Sequence, residues 1–338
     1  MRNIKVLGID LAKNVFQLHG TDAKGKQILR KRFNRMQLIE FVSNLSPCII
    51  GIEACTGAHY WGRLFERYGH TVKMMAPQFV KPYIKSNKSD RNDARGIAEA
   101  VTRPDMKFVP IKMIEQQETL LLHRARELVV KQRTAQANQI RGCLLEFGVV
   151  IPQGVTQIRK LPIILEDNAD KLTAKAKEVF LELYEQFITY DLQEKKYQRQ
   201  IERQANQDVM CQEIMKIEGV GPLIASATVA TIGDAKLFKN GREVAAWLGL
   251  VPKQHSSGNK VRLLGISKRG DHYVRKLLIQ GARSAVKNCE KKTDMKNKWI
   301  ADKKQRCGFN KAAVALANKN ARIIWAVMVT GECYRPSI

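Results

Sequence analysis

The sequence predicts an α/β domain followed by α-helical ones, and three patterns predict it. Short apolar runs bounded by turn residues follow one another through positions 3–76, first consecutively and then alternating with helical stretches. Between about 113 and 205 glycine and proline thin out, and Glu, Gln, Lys, Arg, Leu and Ala, good helix formers, dominate. From 211 onward glycine turns return between apolar helical segments. The implied division is 1–112, a mixed sheet flanked by helices; 113–208, a long helical coiled-coil linker or dimerisation arm; and 209–338, a mainly helical domain. A chain of 338 residues has room for about two cores of ordinary size.

Each element has a local reason. Residues 3–10, 14–20 and 27–33 read as three strands, joined by LAKN and by DAKGK, whose Gly25 marks a hairpin. A short helix follows at 36–44, then a strand at 48–53 (CIIGIE), a helix at 59–68 and a strand in HTVKMMA. PQFVKPYIKSNKS is a basic loop, and SDRNDARGIAEA opens a helix. Three successive strands, then strands alternating with helices, make a mixed sheet with helices packed on it, an order that matches the ribonuclease H-like fold. In the middle segment 114–146 and 174–205 read as two long helices. Leu120, Leu121, Leu128, Ala135 and Ile140 suggest the apolar stripe of the first, and Val179, Leu183, Phe187, Tyr190 and Ile201 that of the second. Joined by a turn they form an antiparallel coiled coil, serving as a dimerising arm or as a plain spacer.

Charge narrows the function. Lys and Arg number 58 against 32 Asp and Glu, a net charge of +26. Such a field points to a polyanion, most commonly nucleic acid. No apolar run approaches the roughly 18 residues that span a bilayer, so a membrane is not the expected partner. The N-terminus enters a strand directly and lacks a secretory h-region. The seven cysteines form no C-x-x-C pair, which argues against zinc and for a reducing cytoplasm.

In so cationic a chain, four acids stand out. Asp10 ends the run IKVLGID and Glu53 ends CIIGIE, while Asp90 and Asp93 share one helix face by their i,i+3 spacing. Taken singly, each has an ordinary role: a strand-end turn residue, a helix cap for Asp90 in competition with Ser89, a favourable dipole contact for Asp93. Brought together, four carboxylates repel unless cations join them. Two hard divalent ions, Mg2+ or Mn2+, suit oxygen ligands and stabilise attacking and leaving oxygens in phosphodiester chemistry. Asp10 would bridge two ions, Glu53 and Asp93 would complete one side each, and Asp90 would support one of them. Lys81, Lys85, Lys88 and Arg91 line the approach, to clamp a phosphate backbone or to offset the acids. His59 follows the Glu53 strand and is expected to face the acids; Trp61 and Trp247 read as core.

Two further segments carry chemistry. In IEGVGP, Gly219 and Gly221 allow a tight turn and Pro222 opens a helix. This resembles a helix–hairpin–helix element binding phosphate through helix N-terminal amides; an ordinary helix–helix turn has the same pattern. In GLVPKQHSSGNKVRLLGISKRGD, Ser256 and Ser257 lie beside His255, Lys260, Arg262, Lys268 and Arg269. A hydroxyl among cations can attack phosphorus, although Ser-Ser-Gly-Asn is also a common hairpin turn whose basic neighbours simply hold phosphate.

GIDLAKN, IGIEACTGAH, KSDRNDARGIAEA, IEGVGPLIASATVATIGDAKLF, AAWLGLVPKQHSSGNK and ISKRGDHYVRKLLIQGAR, in that order along nearly the whole chain, resemble the DEDD transposases of insertion-sequence family 110, and its subgroup 1111 in particular. The resemblance implies a RuvC-like ribonuclease H domain with Asp10, Glu53, Asp90 and Asp93 as the metal-holding set. It also implies a C-terminal transposase domain whose Ser-Gly motif falls on Ser257 and Gly258, Ser256 being the adjacent alternative. The serine would form a covalent phosphoserine link to DNA. A structured noncoding bridge RNA would guide the enzyme, and homodimers or homotetramers would complete the active site between protomers, in the bacterial cytoplasm at the nucleoid. The runner-up reading is a RuvC-like junction resolvase using metal-activated water, and the contrasting class is a non-catalytic nucleic-acid binder.

Overall fold

The computed structural model describes residues 3–84, 90–258 and 260–335, without the side chains of Asp90 and Arg91. Lys85 and Lys88 therefore lie outside the described residues. Two compact units divide the chain at Met1–Ile114 and Glu115–Ile338.

The first unit runs β1 (Val6–Asp10), β2 (Val15–Thr21), β3 (Gln27–Asn34), α1 (Arg35–Ser43), β4 (Ile49–Glu53), α2 (Ala58–Arg67), β5 (Thr71–Met75), α3 (Pro77–Val80), α4 (Asp90–Ala100) and β6 (Phe108–Val109). The expected strands and helices are present, and the short edge strand β6 is an addition; the segment from Pro77 expected as a loop instead forms the short helix α3 and a 3-10 turn at Lys81–Tyr83, opened by Pro77 at the first helical position. The six-stranded sheet has the order β3-β2-β1-β4-β5-β6. β1 pairs antiparallel with β2 and parallel with β4, and β4 pairs parallel with β5, so the sheet is mixed. Asn34 starts α1 through a reciprocal capping box with Gln37.

Strand alternation sorts the two faces. Leu7, Ile9, Ile50, Ile52 and Met74 bury against Leu38, Val42, Trp61 and Phe65 of α1 and α2. The opposite face carries Val6 and Met75, packed with Ile97, Ala98 and Val101 of α4. Gly8 and Gly51, paired across β1 and β4, let α4 approach this second face. A Cβ at Gly8 would meet the Ala94 carbonyl oxygen, and would lie 2.6 Å from the Ala98 nitrogen. One at Gly51 would lie 3.0 Å from Val101 Cβ.

The second unit contains α5 (Ile114–Leu145), α6 (Val155–Ile158), α7 (Leu161–Asp167), α8 (Ala174–Gln207), α9 (Val209–Met215), α10 (Pro222–Ile232), α11 (Gly241–Trp247), a hairpin of β7 (Pro252–Ser257) and β8 (Lys260–Ile266), α12 (His272–Asn288), α13 (Met295–Cys307) and α14 (Phe309–Thr330). α5 and α8 run antiparallel, joined by the short helices α6 and α7. Arg126 donates to Glu194 at 2.6 Å and Arg133 to Asp191 at 2.8 Å. Arg159 and Lys195 complete the cage around the buried Asp191 carboxylate. Burial alone would raise its pKa, but hydrogen bonds from Lys195, Arg133 and Arg159 prevail and hold it below the usual range.

The apolar stripes expected on these helices need correction. On α5 the buried face is His123, Val129, Gln136, Ala137, Ile140 and Leu144, whereas Leu121 is 65% and Leu128 57% exposed, and Ala135 is exposed too. On α8 Phe180, Phe187, Asp191, Ile201 and Ala205 are buried, and Val179 is exposed. Paired polar groups such as His123 and Asp191 sit on the packed faces, so polarity does not mark the solvent side here.

The expectation about apolar runs also needs qualification. The 22-residue α14 is long and apolar enough, by length and composition, to cross a membrane. Its Ala312, Ala313, Leu316, Ala317, Ala321 and Ile324 are buried in the core of the second unit. They pack there with Val274, Leu278 and Ala282 of α12.

Candidate active site

Asp10 and Glu53 close two adjacent parallel strands, and alternation puts both on the face that α4 covers, in line with Gly8 and Gly51. On α4, Ala94, Ile97, Ala98 and Val101 meet the two glycines or the sheet residues beside them. Asp90 and Asp93 precede Ala94 and Ile97 by one turn, so their backbone positions continue that inward stripe. Val6, early on β1, packs with the middle and end of α4, which points the helix N-terminus toward the carboxyl ends of the strands. The four acids are thus brought by backbone geometry to one edge of one face. The Asp90 side chain is not described.

Cys55 senses this crowding. Burial of its sulfur raises its pKa first, and the charges of Glu53 and Asp10 raise it further. Its Sγ lies 4.0 Å from the Leu11 carbonyl oxygen, bringing together the loops after β4 and β1. Among the described residues no group of three His, Cys, Asp or Glu side chains is close enough to hold an ion. The donor chemistry nevertheless fits hard cations: Asp10, Glu53 and Asp93 are carboxylates at backbone positions of one face. His59 is half-buried near the start of α2, across the sheet from α4, and its Nδ1 accepts the Lys112 amide at 3.1 Å. Lys81 is exposed in the short 3-10 turn after α3.

The serines sit at the tip of the β7–β8 hairpin. Ser257 pairs with Lys260, His255 with Arg262, and Ser256 with Val261. Directly opposed residues share a face. Ser257, His255, Lys260 and Arg262 therefore form one cationic face, while Ser256 shares the other with Gln254, Val261 and Leu263. Gln254 Nε2 donates to Ser256 Oγ at 2.8 Å. Gly258, with φ +56°, turns the chain immediately after Ser257. Lys268 and Arg269 follow β8 in exposed positions. Their backbone is anchored by the buried Arg275, which donates to the carbonyls of Leu248 at 3.0 Å and Arg269 at 2.7 Å.

The expected helix–turn–helix around IEGVGP is formed by α9 and α10. Gly219 has φ +81°, and a Cβ there would lie 2.9 Å from the Gly281 carbonyl oxygen on α12, so no larger residue fits without displacement. Gly221 caps α10. Beside this turn His123 of α5 bonds Ser226 Oγ at 2.9 Å and the Tyr273 hydroxyl at 3.0 Å. Burial, then the nearby Arg126, depresses its pKa to about 4. Sequence reasoning missed Cys55, the paired glycines under α4 and this histidine network. The glycines alone carried a signal, each lying two residues before a singled-out acid.

A mixed sheet whose parallel strand ends gather carboxylates, followed by a unit with a cationic serine hairpin, has the form of a polynucleotide-processing enzyme. Comparison with known proteins agrees. A DEDD transposase model of the IS110 type matches residues 7–148, and the transposase IS116/IS110/IS902 family model matches residues 211–300. The transposase for insertion sequence element IS1111A of Coxiella burnetii is 45% identical over 99% of this chain and 92% of that protein. The transposase for IS1328 of Yersinia enterocolitica is 38% identical over 99% of both chains. The chain belongs to the IS110 family of DEDD insertion-sequence transposases, and is a DNA transposase.

Proposed function

We propose that this transposase cuts and rejoins DNA through a covalent Ser257–DNA link, with Asp10, Glu53, Asp90 and Asp93 of a RuvC-like ribonuclease H domain holding Mg2+, or Mn2+ in its place. The observation that carries the serine assignment is the hairpin register, which sets Ser257, and not Ser256, on the face with Lys260 and Arg262. The observation behind the acids is their common edge beside Gly8 and Gly51. Bound divalent cations would neutralise charge on the scissile phosphate. Ser257 Oγ attacks phosphorus, a P–O bond to the deoxyribose breaks, and the released sugar hydroxyl takes a proton. The reverse attack by a hydroxyl of the receiving strand frees the serine. His255, two residues back on the same face and about 7 Å along the strand, would take the serine proton through a bridging water. Lys260 and Arg262 offset charge on the phosphate oxygens, and Lys81, Lys85, Lys88, Arg91, Lys268, Arg269 and the turn at Gly219 and Gly221 hold the backbone of the nucleic acid.

The same reading includes a noncoding bridge RNA as guide and a homodimer or homotetramer working in the cytoplasm at the chromosome. The α5–α8 arm is the proposed subunit contact. Ile114, Leu121 and Leu128, exposed at seven-residue spacing along α5, give it an apolar seam.

The test is covalent trapping with element-end DNA, the flanking transcript and Mg2+, resolved on a denaturing gel. A protein–DNA adduct lost in Ser257→Ala and Asp93→Ala but kept in Ser256→Ala is the expected result. Strand cleavage with no adduct in the unsubstituted protein would instead indicate a water-using resolvase and refute the serine mechanism.

A further inference from the structure

The second unit contains a cleft of about 1010 Å³ between the start of α11, the outer side of α14 and the base of the β7–β8 hairpin. That is at the upper end of the range of about 300–1,000 Å³ usual for small-molecule pockets. Its polar rim is one-signed. Arg242, Lys311, Lys319 and Arg322 line it, and no carboxylate does among the described residues. Its walls include Trp299 and Trp325. The Lys319 ammonium lies 4.3 Å from the centroid of the Trp299 ring, a cation–π contact that keeps the charge inside the cleft. The Trp325 indole N–H donates to the Ala235 carbonyl at 3.0 Å, so this wall is already ordered.

Cations without acids select an anion, and indole walls select a flat aromatic ring. A polynucleotide supplies both at regular spacing. In a duplex the ring faces are stacked inside, out of reach of a recessed indole, so the ligand is an unpaired strand. This enzyme acts on DNA, and strand exchange requires DNA strands to separate. Pro252 and Ile266, the two ends of the hairpin, line the cleft. Ser257 lies five residues beyond Pro252, about 17 Å along the strand. We propose that the cleft binds an unpaired DNA strand, with phosphates on Arg242, Lys311, Lys319 and Arg322 and a base packed against the indoles. A base taking the Trp299 face releases Lys319 to the adjoining phosphate. The cleft would hold the strand a few nucleotides from the hairpin tip, and its binding does not depend on which serine is the nucleophile.

The test uses full-length protein and a fluorescein-labelled oligonucleotide of mixed sequence, presented as single-stranded DNA, as duplex DNA and as RNA, with anisotropy read across a salt series. Trp299→Ala should weaken single-stranded DNA binding about 5- to 150-fold, as base–indole stacking predicts, while duplex affinity changes less than about twofold. The exposed double variant Arg242→Gln/Lys311→Gln, which does not disturb the core, should lower the salt dependence of single-strand binding by about 1.4 in slope, about 0.7 for each phosphate no longer neutralised. Lys175→Gln, exposed on α8 away from the cleft, should change neither duplex nor single-strand affinity appreciably. Single-strand affinity and slope that stay unchanged in both cleft variants overturn the proposal. So does an equal loss for duplex, or tighter binding of RNA with the loss confined to RNA. Adduct formation is not the readout, so failure here and failure of the serine mechanism are separately visible.

Discussion

Substituting Gly8 by alanine isolates the packing that aligns the acids. The new Cβ would lie 2.6 Å from the Ala98 nitrogen and 2.8 Å from Ala98 Cβ, with the Ala94 carbonyl oxygen closer still. Ordinary contact begins at 3.4 Å, so α4 must lift by about 1 Å, and because the obstacles are mainly backbone no side-chain rotation relieves them. Overpacking of this kind costs about 1–3 kcal/mol. Asp93, proposed above to hold a metal ion, adjoins Ala94, and a misplacement of about 1 Å in a catalytic group can cost about 100-fold in rate. Gly8→Ala should therefore lower the urea midpoint of the first unit and reduce the proposed divalent-metal-dependent strand cleavage about 100-fold. Ala98→Gly added to it should restore little, since the backbone clash persists. Gly51→Ala, whose Cβ would meet only side-chain carbons at 3.0 and 3.2 Å, should be milder in both assays. Wild-type stability and cleavage in Gly8→Ala, or Gly51→Ala proving the more damaging, would refute the account of α4 seated on β1.

Three other outcomes follow from the second unit. His123 has a folded-state pKa of about 4 against an ordinary 6.5, so the unfolded chain takes up its proton first as the solution is acidified. Its contribution to stability is intact above about pH 6.5 and falls by about 3 kcal/mol as pH drops to about 4; urea midpoints measured across that range should decline more steeply for the wild type than for His123→Asn. Gly142 is exposed within α5, and a Cβ there meets nothing within 4 Å, so Gly142→Ala should raise stability by about 0.5–1 kcal/mol in chemical denaturation. Replacing the exposed Leu121 and Leu128 by serine should leave the monomer fold intact by circular dichroism while shifting the proposed oligomer to smaller species in sedimentation velocity. An unchanged distribution would rule out that face of the arm as a subunit contact.

Local pattern was enough for the strands and helices around the acids. IKVLGID and CIIGIE are apolar runs ending in carboxylates, their alternation assigns each side chain to a face, and DARGIAEA has helical spacing, all within a few residues of one another. The hairpin at Ser256 and Ser257 was equally local, because a hairpin depends on its own turn chemistry. Tertiary structure alone decided what lies across distance. It chose the face of the sheet that α4 covers, through two glycines whose missing side chains matter only once a helix lies on them. It paired Ser257 with Lys260, since a shift of one residue in register would have exchanged the faces of Ser256 and Ser257. It also buried Asp191 and His123, which look like solvent-facing residues until Arg133, Arg159, Ser226 and Tyr273 arrive from other helices to satisfy them. Hydrophobic periodicity records the average cost of burying a polar group, and it misplaces a helix face wherever partners remote in sequence remove that cost.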